Sequence, residues 1–205
     1  MKKIGLVSDP HATKAPLAEA LTLFKLHKVD EVWCTGDIVG YGEEVEETVR
    51  LLKDNDCRVI YGNHEIWFLD KSSHSVNPQI FEYISRLPAI ITENIEGLLL
   101  YMVHASPPDS ISEGIRLLDK QGRVLEHEKT KWLEQVSMIN ADVLIVGHTH
   151  QVFAETIGDT LVINPGSTQF NHSCAILTLP TLSIEWFNLS GQAISKTWNW
   201  GAEVI

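Results

Sequence analysis

The chain has 205 residues, 44% of them hydrophobic and 21% charged, a composition that supports a sizeable buried core and excludes a disordered polymer. Its formal net charge of −11 argues against a protein that lives on a nucleic-acid backbone. No apolar run approaches the length of a membrane span, the longest candidate being Leu98–Val103.

The chain opens Met-Lys-Lys, but Ser8 and Asp9 interrupt the apolar stretch too early for a signal-peptide core, so the expected location is cytoplasmic. Lys3–Ser8 is predicted as a buried strand. Ala15–Lys28 is predicted as an amphipathic helix with Leu17, Leu21, Phe24 and Leu26 near one face. Val32–Cys34 reads as a strand and Glu43–Lys53 as a helix with an acidic first turn. Arg58–Tyr61 is the next strand, and helices are expected at Pro78–Arg86 and Glu126–Met138. Strands are expected at Leu98–Val103, Val143–Val146, Val152–Ile157 and Thr160–Asn164, the last two joined by a Gly158-Asp159 turn. Cys174–Leu179 and Ser183–Asn188 flank a second turn at Pro180-Thr181. The front half thus reads β-α-β and the back half antiparallel β, within a mixed α/β sandwich. No repeat or linker divides the chain, so residues 1–205 are expected to form one domain. Cys34, Cys57 and Cys174 lie far apart without a Cys-x-x-Cys pair, which points to buried thiols.

The polar residues cluster where the strands end. The expected strands run into Asp9-Pro10-His11, Gly36-Asp37, Gly62-Asn63-His64, His104 and Gly147-His148-Thr149-His150. In α/β proteins the carboxyl ends of the strands share an edge where ligands bind, so these side chains are expected in one cleft. Each block alone has a plain structural reading, as a turn or as a hydrogen-bonded core histidine. Gly-His-Thr-His is stronger, because residues two apart in an extended chain face the same side. Five such strand ends in one sequence point to a metal site. Glycine at 36, 62 and 147 lets the backbone turn sharply and approach closely. His27, His74 and His127 lack this context and read as surface residues.

These blocks resemble the calcineurin-like metallophosphoesterase superfamily, and Gly36–Gly42 (GDIVGYG) resembles its small prokaryotic phosphodiesterase-like branch. The resemblance implies a four-layered α/β/β/α sandwich of two mixed β-sheets flanked by helices. It implies one metal on Asp9, His11, Asp37 and His150, and a second on Asp37, Asn63, His104 and His148, with Asp37 bridging. Nitrogen and oxygen ligands suit two divalent transition-metal ions, manganese first, with iron, zinc, cobalt or nickel as alternatives. The implied reaction is in-line attack on a small cytosolic phosphoester by a metal-bridging hydroxide, with the catalytic His64 assisting the leaving group.

Phosphoprotein phosphatases of that superfamily carry Gly-Asp-x-Val-Asp-Arg-Gly, whereas this chain ends the block Gly40-Tyr41-Gly42. Loss of the arginine that reads a monoester dianion favours phosphodiesters over phosphomonoesterase or phosphoprotein phosphatase activity. Glu65 is a neighbour that could orient His64, and Tyr41 and His172 are the expected substrate contacts. Trp67 and Phe68 lie near His64, as pocket walls or core packing; Trp186, Trp198 and Trp200 read as core. A non-catalytic metal-binding scaffold of the same fold is the alternative of another class, disfavoured because every ligand position and His64 are present. A nucleic-acid partner or a membrane is not expected, and nothing indicates a homo-oligomer.

Overall fold

The computed structural model describes residues 1–71 and 77–197. The first sheet contains β1 (Lys2–Val7), β2 (Glu31–Cys34), β3 (Arg58–Val59), β9 (Ser173–Leu179) and β10 (Ser183–Asn188) in the order β10-β9-β1-β2-β3. The strands β1, β2 and β3 run parallel, and β9 joins β1 antiparallel. The second sheet contains β4 (Ile90–Ile95), β5 (Leu98–Val103), β6 (Val143–Ile145), β7 (Val152–Ile157) and β8 (Thr160–Pro165) in the order β4-β5-β6-β8-β7. Both sheets are mixed, as the resemblance implied.

Three apolar layers hold the sandwich together. Ile4, Leu6 and Trp33 of the first sheet meet Leu100, Met102, Val143 and Ile145 of the second in the central layer. On the first sheet's outer face, Val7, Cys34 and Ile176 pack against α1 (Lys14–Leu26), α2 (Val45–Asp54) and α4 (Pro78–Ser85). On the second sheet's outer face, Leu144, Val146 and Val162 cover Val136 of α5 (Glu126–Met138). Strands buried on both faces read as unbroken apolar runs, and β1, β6 and β9 obey that rule.

Several sequence expectations are corrected here. The back half is not simply antiparallel: β5, β6 and β8 run parallel, and β9 and β10 return to the first sheet. Leu26 is exposed, because Leu17, Leu21 and Phe24 already fill the buried stripe of α1. His27 is half-buried, its ring edge-on to Phe187. Two elements escaped the sequence reading. The strand β4 pairs with β5 through a Glu96-Gly97 turn in which both residues have positive φ, a geometry usually marked by Asn-Gly or Asp-Gly. Helix α3 (Asn63–Lys71) begins inside the Gly-Asn-His block, which looked like a turn. Cys34 and Cys174 are buried, Cys57 is half-buried, and all three are free thiols. Trp186 is half-buried beside the central layer, while Trp198, Trp200 and His74 lie outside the described residues. No described helix is long and apolar enough to cross a membrane.

Candidate metal centre

The polar blocks follow the carboxyl ends of β1, β2 and β3 in one sheet and of β5 and β6 in the other. The cleft is therefore shared by both sheets rather than by one sheet edge. Backbone hydrogen bonds lock the blocks together: Asp9 N–H donates to Gly36 O at 3.1 Å, His11 N–H to Asp37 O at 3.0 Å, and Gly147 N–H to His104 O at 2.7 Å. Gly62 is packed so closely that a Cβ there would collide with Asp37 Oδ1 and the His104 ring.

Asp9, His11, Asp37, His148 and His150 all have positive φ, between 47° and 63°. A left-handed backbone costs a non-glycine residue of order 1–3 kcal/mol, and such strain persists only where surrounding structure enforces it. Five such residues, all Asp or His, meet in one buried cluster.

The side chains converge in three linked groups whose ligand atoms lie within 4.8 Å of one another: Asp9 with His11 and His150, His11 with Asp37 and His64, and Asp37 with His104 and His148. Asp9 Oδ1 lies 3.3 Å from His150 Nε2 and 3.9 Å from His11 Nε2. Asp37 Oδ2 lies 3.4 Å from His104 Nε2. Asn63 Oδ1 lies 3.2 Å from His104 Nε2 and 3.0 Å from His148 Nδ1, so it completes the second cluster. Three imidazoles are anchored on their outer nitrogen by a backbone carbonyl: His11 Nδ1 to Val39 O, His104 Nδ1 to Thr35 O and His148 Nε2 to Ser112 O. An N–H donated outward leaves the inner nitrogen's lone pair facing the cluster, the arrangement that orients metal-ligating histidines.

The electrostatics of the cluster call for positive charge. Asp9 and Asp37 are fully buried, and Asp9 Oδ1 and Asp37 Oδ2 accept no hydrogen bond. Burial alone would push both carboxyls up, but His150 beside Asp9 and His104 beside Asp37 outweigh it and hold both ionised. Burial likewise opposes protonation of His104, yet the charge of Asp37, whose Oδ2 lies 3.4 Å away, lifts it to about 9. His11 and His148 are pushed down to about 4, chiefly by burial. Two buried carboxylates with uncapped oxygens, ringed by imidazole nitrogens, fit divalent cations of nitrogen and oxygen preference.

His64 occupies the first turn of α3, its backbone N–H donating to Asp37 Oδ1 at 2.9 Å. Its Nε2 is buried, makes no hydrogen bond and lies 4.0 Å from Asp37 Oδ2, the longest carboxylate contact in the cluster. Burial holds the imidazole below its usual range. The ring is set by packing: Gly40 abuts its Nδ1 edge, with His11 at 4.7 Å, Tyr41 at 4.9 Å and Trp67 at 4.8 Å between centroids.

Glu65 does not orient His64. Its buried carboxyl accepts from the backbone N–H of Asp37 at 2.8 Å, Val39 at 3.1 Å and Gly62 at 2.7 Å, tying the loops after β2 and β3 together. Burial and the Asp37 charge raise it to about 7. Glu65→Ala leaves three buried donors without a partner, so a loss of about 3–5 kcal/mol and a Tm lower by roughly 10 °C are expected. Glu65→Gln turns an NH2 group toward one of those donors and is expected to be destabilised as well. Unchanged melting curves for both variants would show that the loops hold without it.

Three further scaffold residues, Asn164, Ser167 and Asn171, were not singled out in the sequence. Asn164 Nδ2 donates to Gly147 O and Thr149 Oγ1, Ser167 Oγ to Asp9 O, and Asn171 Nδ2 to His150 O. Their signal was a run of small polar residues between strands, which any loop shares. His172 sits just before β9, its carbonyl accepting from Leu189 N–H, and no described contact brings its ring to the cluster.

A family model described as the calcineurin-like phosphoesterase superfamily domain matches residues 1–182. The chain belongs to this superfamily. An uncharacterized protein of Methanocaldococcus jannaschii is 26% identical over 86% of this chain and 74% of its own length. A phosphodiesterase of the same organism is 24% identical over 89% of this chain and 91% of its own length. The crystal structure of a metallophosphoesterase from Sphaerobacter thermophilus matches with a TM-score of 0.71 at 20% identity, covering 91% of this chain and 88% of that one, a likeness of fold. Membership of the calcineurin-like superfamily makes hydrolysis of phosphoesters the coarse activity, and the clustered carboxylates and imidazoles are its candidate metal ligands.

Proposed function

We propose that this calcineurin-like protein is a dinuclear metal-dependent phosphodiesterase acting on a small phosphoester. The observation that carries the reading is Asp37, whose carboxylate is shared between the group containing His11 and the group containing His104 and His148. Asp9, His11, Asp37 and His150 would hold one ion, and Asp37, Asn63, His104 and His148 the other. Bound divalent ions would supply Lewis acidity toward a phosphoryl oxygen and acidify a bound water. The chain's own contribution is to fix the ligands before substrate arrives, through the outer hydrogen bonds of His11, His104 and His148. His64, placed at the edge of the cluster, would pass a proton from Nε2 to the leaving oxygen. The diester preference is supported by the missing arginine of the Gly40-Tyr41-Gly42 block and by the name of the archaeal relative. Manganese is the proposed ion in the cell, and the nitrogen and oxygen ligand set equally admits iron, zinc, cobalt or nickel.

The direct test is hydrolysis of bis-p-nitrophenyl phosphate beside p-nitrophenyl phosphate, after chelation and re-addition of single metals. Chelation is expected to abolish turnover, and Mn²⁺ to restore it mainly on the diester. Faster restored turnover of the monoester would overturn the diester preference. Metal binding without turnover of either ester would favour the scaffold reading.

A further inference from the structure

Of the large apolar side chains left exposed among the described residues, two are aromatic: Tyr41, 58% exposed, and Trp67, 52% exposed. Both lie against His64, at 4.9 and 4.8 Å between ring centroids. Leaving a ring half in water forgoes much of the stabilisation its burial would give, so core packing does not account for the pair.

Both rings are held in place. Tyr41 has φ 58° between Gly40 and Gly42, and Gly42 N–H donates to His11 O at 3.0 Å and Gly40 O at 2.8 Å. The Tyr41 ring also stands edge-on to His11 at 4.7 Å and to Phe170 at 5.5 Å. Phe170 is stacked on His150 at 5.4 Å, so this wall continues around the metal centre. Trp67 follows His64 by three residues on α3, which places both on one helix face. Aromatic surface therefore borders the group assigned to the leaving oxygen, where the departing half of an ester would lie. An aromatic face recognises a planar partner by stacking and needs no cation, which suits a chain of net charge −11.

We propose that Tyr41 and Trp67 form a stacking platform for a planar aromatic group on the departing side of the ester, which makes nucleoside phosphodiesters the substrate class. This rests on the phosphoesterase reading of the metal centre. Recognition of the base is by its face, so purine and pyrimidine nucleosides are both accepted, and long nucleic acids are disfavoured by the overall charge.

The test compares binding of adenosine 5′-monophosphate and ribose 5-phosphate to the Mn²⁺-loaded protein by titration calorimetry. The two ligands share a phosphate and a sugar and differ in the base. The nucleotide is expected to bind on the order of tenfold or more tightly. Trp67→Ala and Tyr41→Asn, the latter chosen because asparagine tolerates positive φ, are expected to remove most of that difference, read in each variant as the ratio of the two affinities so that a change in phosphate binding common to both ligands cancels. Trp67→Phe is expected to restore part of it. Equal binding of the two ligands by the wild type, or a difference that survives both substitutions, overturns the platform. If it falls that way while the diester is still hydrolysed, the phosphoesterase reading stands. If neither ligand binds and no ester is cleaved, both readings fall.

Discussion

The His64→Ala variant is expected to keep both metal ions while its kcat on a diester falls by at least about a hundredfold, the usual worth of a positioned general acid. His64 shares a group with His11 and Asp37 but makes the longest carboxylate contact of the cluster. Its Nε2 is farther from Asp37 Oδ2, at 4.0 Å, than His104 Nε2 is, at 3.4 Å. A second substitution reaches the same ring by another route. Gly40 has φ +87°, and a Cβ on it would run into His64 Nδ1, so Gly40→Ala must turn the imidazole or shift the loop. It is expected to reproduce the kinetic loss without touching a metal ligand. Metal content by atomic emission, measured with kcat for both variants, decides the matter. A stoichiometric loss of metal in His64→Ala would make this histidine a ligand, as its grouping with His11 and Asp37 allows.

The second large effect is expected from Asp37→Asn. An amide keeps the size of the side chain and an oxygen for the His64 N–H, but removes the charge shared between the two groups. The wild-type protein should gain stability from Mn²⁺ by mass action, about 2.7 kcal/mol at a hundredfold excess over Kd. For a chain of this length that raises Tm by roughly 5–10 °C relative to the chelated protein. Asp37→Asn is expected to lose most of this metal-dependent rise, bind fewer ions and lose turnover. Comparing each protein with and without metal separates this effect from any change in the fold, because the metal-free Tm is its own control. A full Mn²⁺-induced shift in the variant would show that Asp37 does not carry the shared charge.

The metal-binding vocabulary of this chain was legible without coordinates because its spacing is tied to strand length. A buried strand must end in a loop, and here five strands are followed within a few residues by Asp, His or Asn. Among the described residues, hydrophobic periodicity located four of the five helices and nine of the ten strands, since burial of a stripe or of an entire strand leaves its mark along the chain. The exceptions have physical causes. In α3 the apolar residues Ile66, Trp67, Phe68 and Leu69 are consecutive and mark no single stripe, and in β4 the strand is partly exposed and ends in a turn without its usual residues.

Other features were decided only in three dimensions. No local pattern reveals that the cleft is shared between two sheets, because sheet membership depends on which strands pair at long range. The roles of Glu65, Asn164, Ser167 and Asn171 were hidden for a related reason: each acts on backbone groups contributed by other loops. The positive φ of five clustered site residues is one that Asp and His tolerate, but which of them adopt it is set by surrounding contacts. The sequence by itself determined which atoms are available to hold metal, since donor chemistry belongs to the side chain. Only the tertiary structure decided which nitrogen of each histidine faces inward, and that two half-exposed aromatic rings stand beside His64. Orientation and proximity across the chain arise from packing.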